Sequence, residues 1–214
     1  MKSSKIITII SIVLIGINIF VMLIPNIYLS TRITILSFII PSVILIFDMI
    51  LKIIKEKDIN QKSKIFILEL KSLFIIYCLF LTYVLFFNIN YRNSFRMVNL
   101  EPFATINRYI KAFRNNYINP IIVFINIGVN IVLFIPMGFF VPILFKKKIK
   151  NIVSFSILNL IIIFSIEVTQ YLTCTGSADI DDIILNIIGA IITYIVIKTK
   201  AVKNIIRKLF YYEY

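Results

Sequence analysis

Residues 149–197 read IKNIVSFSILNLIIIFSIEVTQYLTCTGSADIDDIILNIIGAIITYIVI, and this stretch decides the fold class. It contains two long apolar runs, 149–172 and 180–197, on either side of a short polar segment. Each run has about the 20 residues that an α-helix needs to cross the hydrocarbon core of a bilayer. A membrane-spanning strand would instead show weak alternation over about 10 residues. The stretch therefore predicts two transmembrane helices joined by a tight polar turn.

The composition of the whole chain extends this prediction to a membrane bundle. The 214 residues are 60% hydrophobic and 15% charged, with a mean hydropathy of +0.97, whereas soluble domains are about half apolar and about a quarter charged. No water-soluble fold of this size has enough interior to hide so much apolar surface, and disordered chains lack apolar residues. Further runs lie at 6–25, 33–51, 72–89 and 120–145. We predict an all-α, polytopic membrane helical bundle with about six transmembrane helices.

The first span resembles a secretory signal peptide, because Lys2 and Lys5 precede its apolar run. The run is, however, about 20 residues long, and no small-residue cleavage pattern follows it. We therefore interpret 6–25 as a retained helix.

Several residues that are unusual in membrane spans carry structural predictions. Pro136 and Pro142 predict that the inner half of the span at 120–145 is kinked or broken. Asp48 and Lys52 are spaced i,i+4, which predicts a local ion pair. Glu69 is expected to reach the inner membrane interface, and we assign it no function.

The net charge of +13 is interpreted first as membrane topology. Sixteen Lys and Arg residues fall on the side of the bundle that holds both termini, and six fall on the other side. Because Lys and Arg concentrate in cytoplasmic loops, this distribution predicts a multi-pass protein with both termini in the cytoplasm. The expected partner of these cations is the lipid bilayer with its anionic headgroups, and no nucleic acid is expected.

The residue types exclude some chemistry. The chain has no histidine, which rules out histidine catalysis and histidine metal ligands. Cys78 lies in an apolar run and Cys174 in a polar segment, so we expect no disulfide, and the spacing fits no metal site.

The connection 90–119 is the longest and is predicted to lie outside. From Phe103, apolar residues recur at 103, 106, 109, 110 and 113, which is helical spacing. We predict an amphipathic helix at the outer interface, between the third and fourth spans. Its cations and aromatic residues have two interpretations: anchoring in the interface, or contact with an anionic or phosphate-bearing envelope ligand.

A cluster of polar residues is predicted at the outer ends of the last two spans. Glu167 lies within an apolar stretch, where an ionisable side chain is costly and needs a partner or a cavity. Asn130 lies at a matching depth in the span 120–145. The other members follow Glu167 along the chain and are Gln170, Asp179, Asp181, Asp182 and Asn186. Of these, Asp179, Asp182 and Asn186 share one helix face.

Two interpretations of the four carboxylates stay open. The structural one is capping of the last helix together with salt bridges to an arginine of the outer loop, such as Arg92, Arg96 or Arg108. The functional one is a ligand or catalytic site. The carboxylates of such a site would act as an acid/base pair that shares a proton. Alternatively, Glu167, Asp179 and Asp182 would bind a divalent cation, Mg²⁺ or Ca²⁺. No other cofactor is expected.

Three sequence blocks resemble the VanZ-like family of small integral membrane proteins. They are VNLEPFATI at 98–106, NIVLFIPMGF at 130–139, and SIEVTQ at 165–170 followed by DIDDIILNIIG at 179–189. The resemblance covers about residues 75–197. Many members carry an arginine before the acidic run, where this chain has Gly176 and Ser177. The resemblance implies a bacterial cell-membrane protein associated with resistance to glycopeptides, mainly teicoplanin and related lipid-tailed compounds, but it implies no reaction and no catalytic residue.

These observations lead to one preferred hypothesis and two alternatives. The preferred one is a non-enzymatic protein that binds a lipid-linked envelope precursor or a lipoglycopeptide at an outer polar pocket. The alternatives are a membrane enzyme acting on a lipid or cell-wall precursor, and a small transporter.

The predicted domains are 1–71 (two spans and a basic loop), 72–197 (the VanZ-like domain) and 198–214 (a basic cytoplasmic tail). The candidate ligand-binding residues are Asn130, Glu167, Gln170, Asp179, Asp182, Asn186, Arg96, Pro102 and Phe103.

Overall fold

The computed structural model describes Val13, Gly16 and the ranges 31–87 and 98–214. The predicted span 6–25 therefore lies almost entirely outside the described residues, as do Arg92 and Arg96. The elements in chain order are α1 (Thr31–Lys55), α2 (Ile59–Phe87), β1 (Val98–Asn99), α3 (Ala104–Arg114), α4 (Pro120–Leu144), α5 (Ile152–Thr173), β2 (Ala178–Asp179), α6 (Ile180–Ile197) and α7 (Lys200–Phe210).

Five of the described helices are long and apolar enough to cross a membrane: α1, α2, α4, α5 and α6. Together with the near absence of strands in the described ranges, they confirm the predicted all-α, polytopic bundle. The predicted amphipathic helix in the connection before α4 also forms, as α3. Its predicted position at the outer interface stays a prediction.

The third span is predicted to begin at about residue 72, after an amphipathic extension that holds Glu69 and Lys71, whereas the helix that contains it begins earlier. Helix α2 begins at Ile59, because the Asp58 side chain accepts a hydrogen bond from the Asn60 N–H at 2.8 Å and caps it. Hydropathy alone does not detect these first turns, since they carry Lys62 and Lys64.

Of the kink or break predicted at Pro136 and Pro142, the break does not occur, and the kink stays a prediction. The helix continues through both prolines to Leu144, and the departure from α-helical geometry lies earlier, in a π-helical segment at Phe124–Gly128. Each proline removes one backbone hydrogen bond, and close packing of α4 against α6 holds the helix together.

The described residues divide into two compact units. The first comprises the described residues up to Phe87 together with 204–213, and the second comprises 98–203 together with Tyr214. The domain division predicted from the sequence stays a prediction.

In the first unit, α1 and α2 pack around a buried ion-pair cluster. The Lys52 ammonium lies 2.6 Å from an Asp48 carboxylate oxygen, which confirms the predicted pair. The same ammonium bonds Glu69, whose side chain is buried, and its predicted position near the inner membrane interface stays a prediction. The positive charge of Lys52 compensates the negative charges of these two buried carboxylates. Ionisable side chains inside a helical bundle need such a partner.

In the second unit, α4 and α6 approach at backbone contact. A Cβ at Gly189 would overlap the carbonyl oxygen of Ile131, and a Cβ at Gly138 would overlap that of Ala190. Small residues permit such close helix packing in membranes. Helix α5 packs on the same helix α6, with the rings of Phe155 and Tyr194 stacked at 4.4 Å.

The start of α5 is fixed by a reciprocal cap. The Asn151 side chain accepts from the Ser154 N–H at 2.9 Å, and the Ser154 hydroxyl accepts from the Asn151 N–H at 3.2 Å. We expect Asn151→Ala to lower the free energy of unfolding by about 1 kcal/mol. Thermal unfolding of the purified protein measures this, and Asn151→Asp, an equally good cap, should unfold like the wild type. An unchanged transition for Asn151→Ala would show that the cap contributes nothing.

Candidate functional site

The site is built where a short segment before α3 pairs with the start of α6. Strands β1 and β2 are parallel, with Val98 opposite Ala178 and Asn99 opposite Asp179. This pairing places residues 98–106 beside the acidic run that begins at Asp179. Two of the three blocks that carry the family resemblance are thereby brought together.

Asp179 holds the segment through its side chain. One carboxylate oxygen accepts from the Asn99 amide at 3.0 Å and from the Asp181 N–H at 2.9 Å. The other accepts from the Thr105 hydroxyl at 2.7 Å. Asp179 is thus the N-cap of α6, as capping predicts, and also a bridge to a distant segment.

Asp181 caps α3 from another helix. Its side chain is fully buried, and its two oxygens accept from the backbone N–H groups of Phe103 at 2.5 Å and Ile106 at 3.0 Å. Phe103 has a φ of 65°, a left-handed conformation that is costly for a residue with a side chain. The Asp181 carboxylate stabilises this turn because it satisfies N–H groups at the positive end of the helix.

A second layer of polar residues joins α4, α5 and α6. The Asn130 amide of α4 donates to the Asp182 carboxylate of α6. Glu167 of α5 is 4% exposed, and one of its oxygens accepts from the Asp179 N–H at 3.4 Å. Asn186 is 3% exposed and lies one turn after Asp182, and its side-chain oxygen has no hydrogen-bond partner among the described residues. We call these four residues, Asn130, Glu167, Asp182 and Asn186, the polar cluster.

The predicted salt bridges do not form in the described part of the chain. Within it, neither Glu167 nor the aspartates at 179, 181 and 182 has a Lys or Arg within ion-pair distance. Arg108, a predicted partner, is therefore not paired with them, while Arg92 and Arg96 lie outside the described residues. Neutral donors bond the carboxylates instead. Amide, hydroxyl and backbone N–H groups of residues 98–106 donate to Asp179 and Asp181, the Asn130 amide donates to Asp182, and the Asp179 N–H donates to Glu167.

The other candidate residues are placed differently. The Gln170 carbonyl accepts from the Thr175 N–H at 3.0 Å, in the turn between α5 and β2. Phe103 contributes its backbone to the site, but its ring is exposed, as is Pro102. Arg96 cannot be placed, since it lies outside the described residues.

Sequence reasoning missed Asn99 and Thr105 as residues of the site, and it placed Asp181 among the four carboxylates without choosing it as a ligand-binding candidate. All three stand within the blocks that carry the family resemblance, which was the available signal. Helical spacing pointed away from Asp181, because it does not share a face with Asp179, Asp182 and Asn186.

The carboxylate oxygens of Glu167, Asp179 and Asp182 are not arranged to bind the divalent cation that the sequence suggested. In the described ranges, no group of three or more His, Cys, Asp or Glu residues is arranged to hold a metal ion. Both oxygens of Asp179 already accept hydrogen bonds from protein donors. Asp182 is bonded to Asn130, so Glu167, Asp179 and Asp182 do not present a shared set of free oxygens.

The fold and the site define a multi-pass, helical membrane protein whose acidic helix start is joined to a preceding turn. A family model described as VanZ/LLP1 matches residues 74–204, more than half of the chain and all of the site, so the chain belongs to this family. It is a VanZ-like protein, and that family is linked in general to glycopeptide resistance. No curated protein and no solved structure matches the chain significantly.

Proposed function

We propose that this protein alters the susceptibility of the cell envelope to teicoplanin-type lipoglycopeptides. It does so by binding an envelope or lipid-linked ligand at the polar cluster, on the outer face of the bacterial cell membrane. The observation that carries the proposal is the buried, unpartnered side-chain oxygen of Asn186, one turn from Asp182. An unsatisfied buried acceptor costs about 1–3 kcal/mol, which a ligand donor would recover.

The chemistry of the cluster favours a ligand rich in hydrogen-bond donors. Two carboxylates and two amides supply acceptors, and no Lys or Arg of the described ranges is ion-paired with those carboxylates. Hydroxyl, amide or ammonium groups suit such a site, whereas a bare phosphate is repelled by the carboxylates. Sugar and peptide headgroups carry these donors.

Helix α3 supplies the complementary surface for the rest of such a ligand. Asp181 attaches it to the start of α6, and no residue of α3 is buried. It carries Arg108, Lys111 and Arg114, with the exposed ring of Phe113. Cations and an aromatic ring suit the phosphate and lipid parts of a lipid-linked precursor.

The orientation of the protein is part of the same proposal. Both termini lie in the cytoplasm, as supported by the excess of Lys and Arg on their side. The polar cluster and α3 then lie at the outer face, where glycopeptides act.

A second candidate function is a membrane enzyme that acts on a lipid or cell-wall precursor. The observation that favours it is the pair Glu167 and Asp182, two buried carboxylates without a Lys or Arg ion pair among the described residues. Such a pair suits general acid/base work. A small transporter is the other alternative; a broken α4 and the intramembrane Glu167 would favour it, and α4 is not broken at its prolines.

The test compares variants in a host that expresses the full chain. We expect Asn186→Leu and Asp182→Asn to reduce the protective effect against teicoplanin about two- to tenfold, the equivalent of one lost hydrogen bond to the ligand. The matched control is Asn159→Leu, because Asn159 is also a buried amide with an unpartnered oxygen, but it lies two turns before Glu167. Its effect on teicoplanin susceptibility should be absent.

The outcomes separate the hypotheses. Unchanged susceptibility for Asn186→Leu and Asp182→Asn, at wild-type membrane levels, would overturn the proposal. If the substitutions do change teicoplanin susceptibility, the purified protein is incubated with a lipid-linked cell-wall precursor. One sample contains Mg²⁺ and a second contains a chelator. Saturable binding without conversion supports the binding protein, and a changed precursor supports the enzyme.

A further inference from the structure

Helix α7 has an apolar face that is only half covered by the protein. Ile206 is buried, and the Phe210 ring stacks on Phe66 with ring centroids 4.4 Å apart. On the same apolar side, Ile205 is 55% exposed and Leu209 is 54% exposed. Two large aliphatic side chains are thus side by side, one turn apart, and about half of each is left uncovered by the described residues.

The opposite side of α7 is basic. It carries Lys200, Lys203, Arg207 and Lys208, and the helix contains no acidic residue. The one ion pair formed by these cations in the described residues is Arg207 with Glu213, at 3.6 Å and between exposed side chains. An ion pair between exposed side chains contributes little to stability, so the cations of α7 stay available to an anionic partner.

The position of α7 in the chain identifies that partner. Helix α6 ends at Ile197, at the end of a membrane span, and α7 begins at Lys200. At the end of α6, the Ile197 carbonyl accepts a hydrogen bond from the Tyr214 hydroxyl at 2.6 Å. Burial raises the pKa of Tyr214 to about 12, so this hydroxyl keeps its proton at neutral pH.

We propose that α7 is an interfacial helix that binds anionic phospholipid. Ile205 and Leu209 lie among the upper acyl chains, while Lys203, Arg207 and Lys208 contact lipid phosphates. A helix that starts beside the end of a span lies at headgroup level, where an apolar stripe flanked by cations is stable. Each Lys or Arg near an anionic surface strengthens the attraction. This inference does not depend on the proposed function.

The absence of tryptophan from the chain gives a direct test. The Leu209→Trp reporter is introduced into the full chain, and the purified protein is reconstituted in bilayers of phosphatidylglycerol and phosphatidylcholine with brominated acyl chains. We expect its fluorescence to be quenched at least about twofold more than that of an Asn204→Trp reporter, which lies on the polar side of α7. The additional change K203Q/R207Q/K208Q should reduce the quenching in phosphatidylglycerol bilayers to the level in phosphatidylcholine alone.

Three results would overturn the proposal. Equal quenching of the two reporters would show that α7 has no lipid-facing side. Equal quenching of the Leu209→Trp reporter with and without phosphatidylglycerol would show that anionic lipid is not recognised. Protection of that reporter from both bromolipid and aqueous acrylamide would show that a second copy of the chain covers this face.

Discussion

Replacing Asp181 by alanine is expected to detach the turn at residues 103–106 from the start of α6 and to lower the free energy of unfolding by about 3–5 kcal/mol. The fully buried carboxylate accepts two hydrogen bonds, from the Phe103 and Ile106 N–H groups. Hydrogen bonds to charged groups contribute about 1.5–3 kcal/mol each, and removal leaves two N–H groups without a partner. The left-handed turn at Phe103 would then lose the contact that offsets its strain.

Thermal unfolding in detergent measures the stability, and hydrogen exchange of peptides that cover 98–106 measures the detachment. The matched control is Glu101→Gln, which removes an exposed carboxylate from the same segment and should behave like the wild type. Asp181→Asn should give an intermediate result, since an amide retains one acceptor oxygen. Unchanged exchange in Asp181→Ala would contradict the role of Asp181 as the cap of α3.

The second large effect is expected at the contact between α4 and α6. Gly189→Ala should lower the free energy of unfolding by about 1–3 kcal/mol or more, because the new Cβ would overlap the Ile131 carbonyl oxygen. Backbone cannot rotate away as a side chain does, so the two helices must separate. Because Asn186 lies one turn before Gly189, and Asn130 lies beside Ile131, the polar cluster should be disturbed too. Unfolding temperature and teicoplanin susceptibility measure the two consequences.

Gly128→Ala is the matched control for this contact. A Cβ at Gly128 would meet the ring of Phe124 at 3.2 Å, and that ring is 70% exposed and free to move. We therefore expect a stability close to that of the wild type, because alanine also favours the helix. Equal destabilisation by the two substitutions would refute the argument that backbone contact sets the cost at Gly189.

The long apolar helices were predictable because their signal is local. Lipid offers no hydrogen bonds, so each span must satisfy its backbone within its own helix, and hydropathy over about 20 residues is enough to find it. Hydropathy did not detect the start of α2, where Asp58 caps a polar first turn outside the predicted span. The expected kink or break at Pro136 and Pro142 came instead from the proline residues, and no break occurs because packing against α6 keeps α4 continuous.

The candidate site was predictable only in part. Helical spacing correctly placed Asp182 and Asn186 on one face, and depth along the spans correctly suggested that Asn130 meets this region. The sequence placed Asp181 in the acidic cluster but did not predict that it caps α3, because that role depends on a segment about 75 residues earlier in the chain. No periodicity within α6 contains that information.

The sequence by itself therefore determined that the protein lies in a lipid bilayer, that its fold is all-α, and which blocks resemble the family. Composition and local pattern are enough for this, because they decide whether a segment spans a bilayer. Only the tertiary structure decided which carboxylate bonds which donor: Asp179 to Asn99 and Thr105, Asp181 to the turn of α3, and Asp182 to Asn130. Hydrogen bonds require donor and acceptor within about 3 Å. Such distances between residues far apart in the chain are fixed by helix packing, here by the close approach at Gly189, and not by any local run of residues.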